Sequence, residues 1–320
     1  MNEYDTRVAV LSRSFSANPV LRAELQAAFR SVTFNDAGLS LSGDKMIDFL
    51  HGHSHAIVAL ERITGDVLDR LPDLKVIGKY GVGLDNVDLD ACAQHDILVG
   101  WRGGVNRRSV AELTLGLAIA LLRQFKLSDR EIAGGVFRQI RGRQLSDRTV
   151  GLVGCGHVGK EVVRLLQPFG CTILAHDVLE FPEFYGEYGV EAVDLDSLLS
   201  RADVISLHLP LTNKSRNLIG EREFGLMRRD AVLINTARGG LIDEQALKRA
   251  LQSGVIGGAA LDVFSPEPPE DTELLGLSNF IATPHIGGSA AEAILAMGRA
   301  AIEGLVSPVS PRVHIAALSY

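Results

Sequence analysis

An arginine, a carboxylate and a histidine stand where three short apolar runs give way to polar turns. Arg238 follows Asn235-Thr236-Ala237, Glu267 follows Leu261-Asp262-Val263-Phe264, and His285 lies within Thr283-Pro284-His285-Ile286-Gly287-Gly288. A guanidinium grips a carboxylate with a planar fork. An imidazole exchanges a proton near neutral pH, and a carboxylate beside it orients the ring and favours its protonated form. The set suits proton transfer on a small acid. Each residue also has a plainer reading. A loop arginine is usually solvated, Glu267 sits among prolines as an ordinary loop acid would, and a lone histidine is more often structural.

A second motif tells what those residues would work beside. Thr149-Val150-Gly151-Leu152-Val153-Gly154-Cys155-Gly156-His157-Val158-Gly159 is an apolar β-branched run entering Gly-x-Gly-x-x-Gly. Lys160 to Phe169 reads as a helix ended by Gly170, and Thr172 to His176 as a strand that delivers Asp177. Gly154 permits the tight turn, Gly156 lets backbone approach a pyrophosphate, and Gly159 lets helix and strand pack closely. The phosphates then meet free N–H groups at the helix start, His157 and Val158 included. Asp177 stands where an acid holds a ribose 2′-OH. The spacing predicts a dinucleotide site; the alternative is a glycine-rich turn in an ordinary βα unit.

The elements that must position these groups alternate along the chain. Arg7–Ser12, Ala56–Leu60, Lys75–Tyr80 and Ile97–Gly100 read as strands, with helices from Asn18-Pro19 to about Arg30 and from Val87 to His95. Together they predict a small open α/β sheet. Ser109–Arg123 is a helix apolar nearly all round, which must be buried in the core or between subunits. Residues 124–148 read as basic and irregular. From Val150 a second array begins, with strands at Val204–Leu209, Ala231–Asn235, Gly258–Leu261 and Phe280–Ala282. Its helices fall at Leu195–Arg201, Glu221–Met227, from Asp243 to about Ser253, and Ala290–Val306. An aromatic-rich connection follows Asp177, and the tail after Ser307 reads as a loose end. In open parallel sheets ligands bind beyond the carboxyl ends of the strands. There the second array carries His208 before Pro210, then Thr236-Ala237-Arg238, Asp262 and the His285 turn.

Bulk properties narrow the class. The chain has 320 residues, enough for two domains, and 46 % hydrophobic against 22 % charged residues fits a protein with a real core. A net charge of −7 argues against nonspecific nucleic-acid binding. The first residues lack the basic lead and apolar core of a signal peptide. The longest uncharged apolar run, Leu113–Leu122, is too short to span a bilayer, so no membrane association is expected. Cys92, Cys155 and Cys171 show neither metal nor disulfide spacing, which suits the cytoplasm. His51-Gly52-His53-Ser54-His55 could hold a metal, but a polar segment before a strand is the better account, and no metal is expected.

Several stretches together resemble the NAD-dependent D-2-hydroxyacid dehydrogenases, closest to the phosphoglycerate dehydrogenase branch, over about Leu74–Ser289. They are Lys75-Val-Ile-Gly-Lys-Tyr-Gly-Val-Gly-Leu-Asp-Asn-Val-Asp88, Asn106-Arg-Arg-Ser-Val-Ala-Glu-Leu-Thr114, the glycine loop, and His208-Leu-Pro-Leu-Thr212. Asn235-Thr-Ala-Arg-Gly-Gly240, Leu261-Asp-Val-Phe264 with Glu267-Pro268, and Thr283-Pro-His-Ile-Gly-Gly288 complete the set.

The resemblance implies two doubly wound parallel-sheet domains with a cleft between them. One is a flavodoxin-like substrate domain, residues 1–101 with 290–320; the other is a Rossmann NAD domain, 102–289. It implies hydride transfer between NAD and C2 of a small D-2-hydroxy or 2-keto acid, of phosphoglycerate, hydroxypyruvate or glyoxylate type. Arg238 would bind the α-carboxylate and carbonyl, His285 would be the acid/base and Glu267 its partner. The amides of Val82 and Gly83 would help hold the carboxylate. Asp262 would meet the nicotinamide carboxamide. Gly154, Gly156, His157, Val158, Gly159, Asp177, His208, Pro210, Thr236, Ala237, Arg238, His285, Gly287 and Gly288 would surround the rest of NAD. A homodimer through the NAD domain is expected.

The alternative is a nucleotide-sensing, corepressor-like protein on the same scaffold. Departures bear on the substrate and leave the reaction class untouched. Trp101-Arg102-Gly103 replaces a frequent Asn-Thr-Pro, Lys79 a usual arginine, and Val58 and Leu60 stand near positions where phosphoglycerate enzymes carry arginines. Arg102 is then the candidate to read a distal anion, a hinge arginine being the other reading. The chain ends soon after its last helix, so the regulatory serine-binding domain of some phosphoglycerate enzymes is expected to be absent.

Overall fold

The computed structural model describes residues 6–318. The chain divides into two compact units, Met1–Asn106 with Ala291–Tyr320, and Arg107–Ala290. The first begins with β1 (Arg7–Val10), α1 (Arg13–Ala17), α2 (Pro19–Ala28), β2 (Ser31–Phe34), α3 (Gly43–Leu50) and β3 (His55–Val58). It continues through α4 (Gly65–Leu68), β4 (Val76–Lys79), α5 (Leu89–Gln94) and β5 (Leu98–Gly100). The second holds α6 (Arg107–Leu122), α7 (Phe125–Ala133), β6 (Thr149–Val153), α8 (His157–Leu166), β7 (Thr172–His176), α9 (Pro182–Tyr188), β8 (Val190–Ala192) and α10 (Leu195–Arg201). It closes with β9 (Val204–Leu207), α11 (Glu221–Leu226), β10 (Val232–Asn235), α12 (Glu244–Gln252), β11 (Gly258–Leu261), α13 (Thr272–Gly276) and β12 (Phe280–Ala282). The chain then returns to the first unit with α14 (Ala291–Val306) and α15 (Pro311–Leu318).

The first sheet runs β2-β1-β3-β4-β5, all parallel, the flavodoxin-like order. Parallel sheets must be covered on both faces. Phe15, Leu21, Leu25, Ala301 and Leu305 cover one face, from α1, α2 and α14. Met46, Ile47, Leu50, Leu68 and Cys92 cover the other, from α3, α4 and α5. Helix α14 lies on bare backbone. A Cβ on Gly100 would stand 2.1 Å from the Gly304 carbonyl oxygen, so helix and strand touch only because both residues lack side chains.

The second sheet runs β12-β11-β10-β9-β6-β7-β8, again parallel throughout. Strand order reverses about β6, the switch point where dinucleotides bind. Helices α6 and α8 supply Ala111, Leu117, Val162, Val163 and Leu166 to one face. Helices α10 to α13 supply Leu198, Phe224, Leu247 and Leu274 to the other.

Several segments differ from the sequence reading, among them the helices α1, α3, α4 and α13, which it does not mark. The edge strand β2 was unmarked because only Phe34 of its four residues is buried. Residues 124–148 contain α7, none of whose residues is buried, so no core stripe announced it. The aromatic-rich connection after Asp177 contains α9 and β8, with Lys160 held over the Phe181 ring at 3.5 Å. The tail after Ser307 is no loose end. Val309 bridges Val99, and α15 follows with a buried His314 bonded to the Val99 carbonyl at 2.8 Å.

Candidate active site

Six loops line the C-terminal edge of the second sheet in strand order: the His285 turn, the Asp262–Glu267 loop, the Arg238 loop, His208, the glycine loop and Asp177. Glycines press neighbouring loops together. A Cβ on Gly239 would lie 1.9 Å from the Phe264 carbonyl oxygen, and one on Gly154, at φ +95°, 2.5 Å from that of His208. The first contact brings the Arg238 loop against the loop carrying Glu267.

His285 sits in the left-handed region at φ 54°, uncommon for a residue with a side chain. Asp262 holds it there. The His285 N–H donates to the Asp262 carbonyl at 2.9 Å. The Asp262 carboxylate, 1 % exposed, accepts from the Thr283 hydroxyl at 2.6 Å and from the Ile286 and Gly287 N–H groups at 2.8 Å each. The Ser109 hydroxyl of α6 donates to the Gly287 carbonyl at 2.6 Å. His285 Nδ1 lies 3.0 Å from Glu267 Oε2, and Glu267 Oε1 accepts from the Phe264 N–H at 3.0 Å. A carboxylate only accepts, so Nδ1 carries the proton of this bond. Nε2 is left as the atom that can give or take a proton. Glu244 of α12 stands nearby; burial pushes its carboxyl up, and Asp271, Asp243 and Glu267 add to the push.

Arg238 is half-buried, with Nη1 donating to the Ala237 carbonyl at 2.7 Å. Asn235, which sequence reading placed in a motif without a role, fixes this loop. Its side chain accepts from the Ala237 N–H at 3.0 Å and donates to the Arg238 carbonyl at 2.8 Å. An asparagine ending an apolar strand is the signal that could have revealed it. Thr114 of α6 donates its hydroxyl proton to the Val110 carbonyl at 2.9 Å, so it accepts from Thr236 at 3.0 Å. His208 is bonded to Ser206 at 2.9 Å, and burial pushes its imidazole down to about 3, which keeps it uncharged. Pro210 is exposed, and its carbonyl accepts from Ser215 at 2.7 Å.

The glycine loop fits a dinucleotide. A Cβ on Gly156 would meet nothing within 4 Å, so the space beside its backbone is open, whereas one on Gly159 would strike the Gly154 carbonyl at 2.4 Å. No side chain caps α8, leaving N–H groups at its start, around His157 and Val158, for an anion. Asp177 is set against the loop, accepting from the Cys155 N–H at 2.6 Å and the Leu179 N–H at 2.9 Å. Unforeseen was Glu161, a buried acid on α8 that meets Arg108 at 2.9 Å, Arg164 at 3.2 Å and Arg107 at 3.6 Å.

Three expected substrate residues lie in the first unit. Val82 and Gly83 follow β4, half-buried, and the Trp101 indole donates to the Val82 carbonyl at 3.0 Å. Arg102 is exposed and pairs with Glu303 of α14 at 3.1 Å. His53 bonds Thr33 and His55 bonds Ser54; among the described residues no His, Cys, Asp or Glu group is arranged to hold a metal. None of the described helices is long and apolar enough to cross a membrane.

Comparison with known proteins shows what the chain is similar to. The NAD-binding-domain model of the D-isomer-specific 2-hydroxyacid dehydrogenases matches residues 115–287. A D-3-phosphoglycerate dehydrogenase of Methanocaldococcus jannaschii is 43 % identical over 240 residues, 74 % of this chain and 46 % of the relative. A hydroxypyruvate reductase of Thermotoga maritima is 39 % identical over 247 residues, 76 % of this chain and 80 % of the relative. The chain thus spans about half the length of the phosphoglycerate dehydrogenases it matches. A D-lactate dehydrogenase from Aquifex aeolicus, solved with NAD and lactic acid, superposes with a TM-score of 0.80 at 28 % identity, covering 94 % of this chain and 95 % of that one.

Asp262→Asn replaces one accepting oxygen by a donor inside a ring of donors. It should cost the second unit roughly 1.5–3 kcal/mol, the scale of a hydrogen bond to a charged group. Denaturant unfolding measures this; a loss below about 0.5 kcal/mol would mean the turn stands without Asp262.

Proposed function

The chain belongs to the family of D-isomer-specific 2-hydroxyacid dehydrogenases, and on that premise we propose that it catalyses hydride transfer between NAD and C2 of a small D-2-hydroxy or 2-keto acid. The observation that carries the proposal is the 3.0 Å bond between His285 Nδ1 and Glu267, which leaves Nε2 for the substrate. NAD, when bound, supplies or accepts the hydride. Arg238 grips the α-carboxylate and polarises the C2 oxygen. His285 gives that oxygen a proton in reduction and takes it back in oxidation, while Glu267 orients the ring. The amides of Val82 and Gly83 are assigned to the carboxylate. His157, Val158 and the glycines are assigned to the pyrophosphate, and Asp177 to the adenosine ribose. Thr236, Ala237, His208, Pro210, Gly287 and Gly288 are assigned to the cofactor's remaining edge. Asp262 acts chiefly by holding the His285 turn. The relatives named above carry enzyme names, and nothing favours a corepressor role.

Absorbance at 340 nm with glyoxylate, hydroxypyruvate and phosphohydroxypyruvate tests the reading. Reduction should use NADH in preference to NADPH by on the order of tenfold or more, because Asp177 repels a 2′-phosphate. His285→Ala should lose most of kcat while NADH still binds. Glu267→Ala, which removes the ring's acceptor, should lower kcat by on the order of tenfold or more while NADH still binds. Turnover of none of these acids, or full activity in His285→Ala, would sink the proposal.

Arg102 is kept as a proposed contact to a distal anion, for which it must leave Glu303. Arg102→Ala should then raise KM for phosphohydroxypyruvate by about tenfold, the scale of a charge-assisted bond, and leave glyoxylate unchanged. Equal effects on both substrates would make Arg102 a structural residue.

A homodimer through the second unit is proposed from the apolar groups that unit leaves uncovered. Phe125 and Ile132 of α7 are exposed, as are Val136 and Phe137 beyond it, with Phe137 at 92 %. The three cysteines are free, which suits the proposed cytoplasmic setting. Sedimentation should give a dimer that Phe125→Glu with Ile132→Glu weakens; a monomeric parent would refute this interface.

A further inference from the structure

We propose that Trp101 is a positioning residue for substrate binding, and that the C-terminal helix α15 holds it in place. The inference rests on the reading that the Val82 and Gly83 amides take the substrate carboxylate. Trp101 stands immediately after β5.

The contacts form one short path inside the first unit. The Trp101 indole N–H donates to the Val82 carbonyl at 3.0 Å. That carbonyl shares its peptide plane with the Gly83 N–H. A bond to the oxygen therefore fixes the direction in which the N–H points and polarises it toward an anion. Two glycines flank Val82, so nothing in the local backbone chemistry sets the plane as firmly. The indole is itself held from its other side. The His314 ring meets it edge to face at 5.4 Å and 85°. His314 is buried, with Nε2 bonded to the Val99 carbonyl at 2.8 Å, and the Val99–Val309 bridge fastens the chain just before α15. Strand β5 is thus gripped by the tail, and the residue following it carries that grip to the carboxylate turn.

A merely structural tryptophan would be indifferent to its N–H. Trp101→Phe keeps a ring against His314 and removes only the donor. With NADH and glyoxylate it should raise KM about three- to tenfold, what one hydrogen bond is worth. It should leave kcat within about twofold, as expected when ground and transition states lose the same contact. NADH affinity should be unchanged, and the thermal midpoint should fall by no more than roughly 2–4 °C, the scale of one hydrogen bond. An unchanged KM, or a fall in kcat with KM unmoved, overturns the inference.

Trp101 is also the sole tryptophan of the chain, so its emission reports on the turn. With NAD bound, oxamate, an unreactive carboxylate, should shift or quench that emission. A response in the parent together with an unchanged KM in Trp101→Phe defeats the positioning role alone. No response to oxamate in an enzyme that turns over glyoxylate places the carboxylate elsewhere, and the reading of the turn fails with the inference.

Discussion

The site hangs on one buried carboxylate. Asp262 follows β11 directly, and its side chain gathers the Thr283 hydroxyl with the Ile286 and Gly287 amides. A buried charge without partners is costly, and with three donors it becomes a rigid fixture. It holds His285 in a backbone conformation that a β-carbon disfavours, at φ 54°. Strain of that kind survives only where the surroundings over-determine it. The imidazole consequently reaches Glu267 from a turn whose backbone is pinned, so the proton-handling pair has little freedom to lose. A reading that treats Asp262 only as a contact for NAD misses that it first builds the turn.

The same logic of close approach explains the rest of the edge. Parallel strands deliver all their ends to one side, but side by side their loops would stand apart. Gly154 and Gly239 remove the atoms that would separate them from the next loop's carbonyl. Asn235 then closes the Arg238 loop on itself. Guanidinium, carboxylate and imidazole thus come from three successive strands of one sheet, β10, β11 and β12.

Much of this was legible in the sequence because it depends on local chemistry. The glycine spacing, the acid after the second strand, and the polar residues closing apolar runs each announce a strand end with a purpose. The two doubly wound parallel sheets followed from the resemblance. What escaped depends on contacts distant in sequence or on weak burial. Helix α7 has no buried residue to set a stripe. Asp262 looks like any acid until the 283–287 turn folds over it. Glu161, an acid on the packed side of α8, is explained only by arginines that include Arg107 and Arg108, far back at the start of α6. The tail looked unattached because its anchor, His314, finds the Val99 carbonyl more than two hundred residues away in the chain.

The departures near the expected substrate side divide once they are placed. Val58 is fully buried inside β3, so its apolar character serves the core and says nothing about a ligand. Lys79 is buried too, its ammonium on the Ala59 carbonyl, and ties the ends of β3 and β4 together. Leu60 is different: it follows β3 at the carboxyl edge and is 88 % exposed. Ligands of open parallel sheets are met at that edge, and the Leu60 side chain itself offers an anion no hydrogen bond. Arg102 is already matched by Glu303, so drawing it onto a substrate breaks one ion pair to form another. The cations on this edge are thus already committed, Lys79 to the Ala59 carbonyl and Arg102 to Glu303.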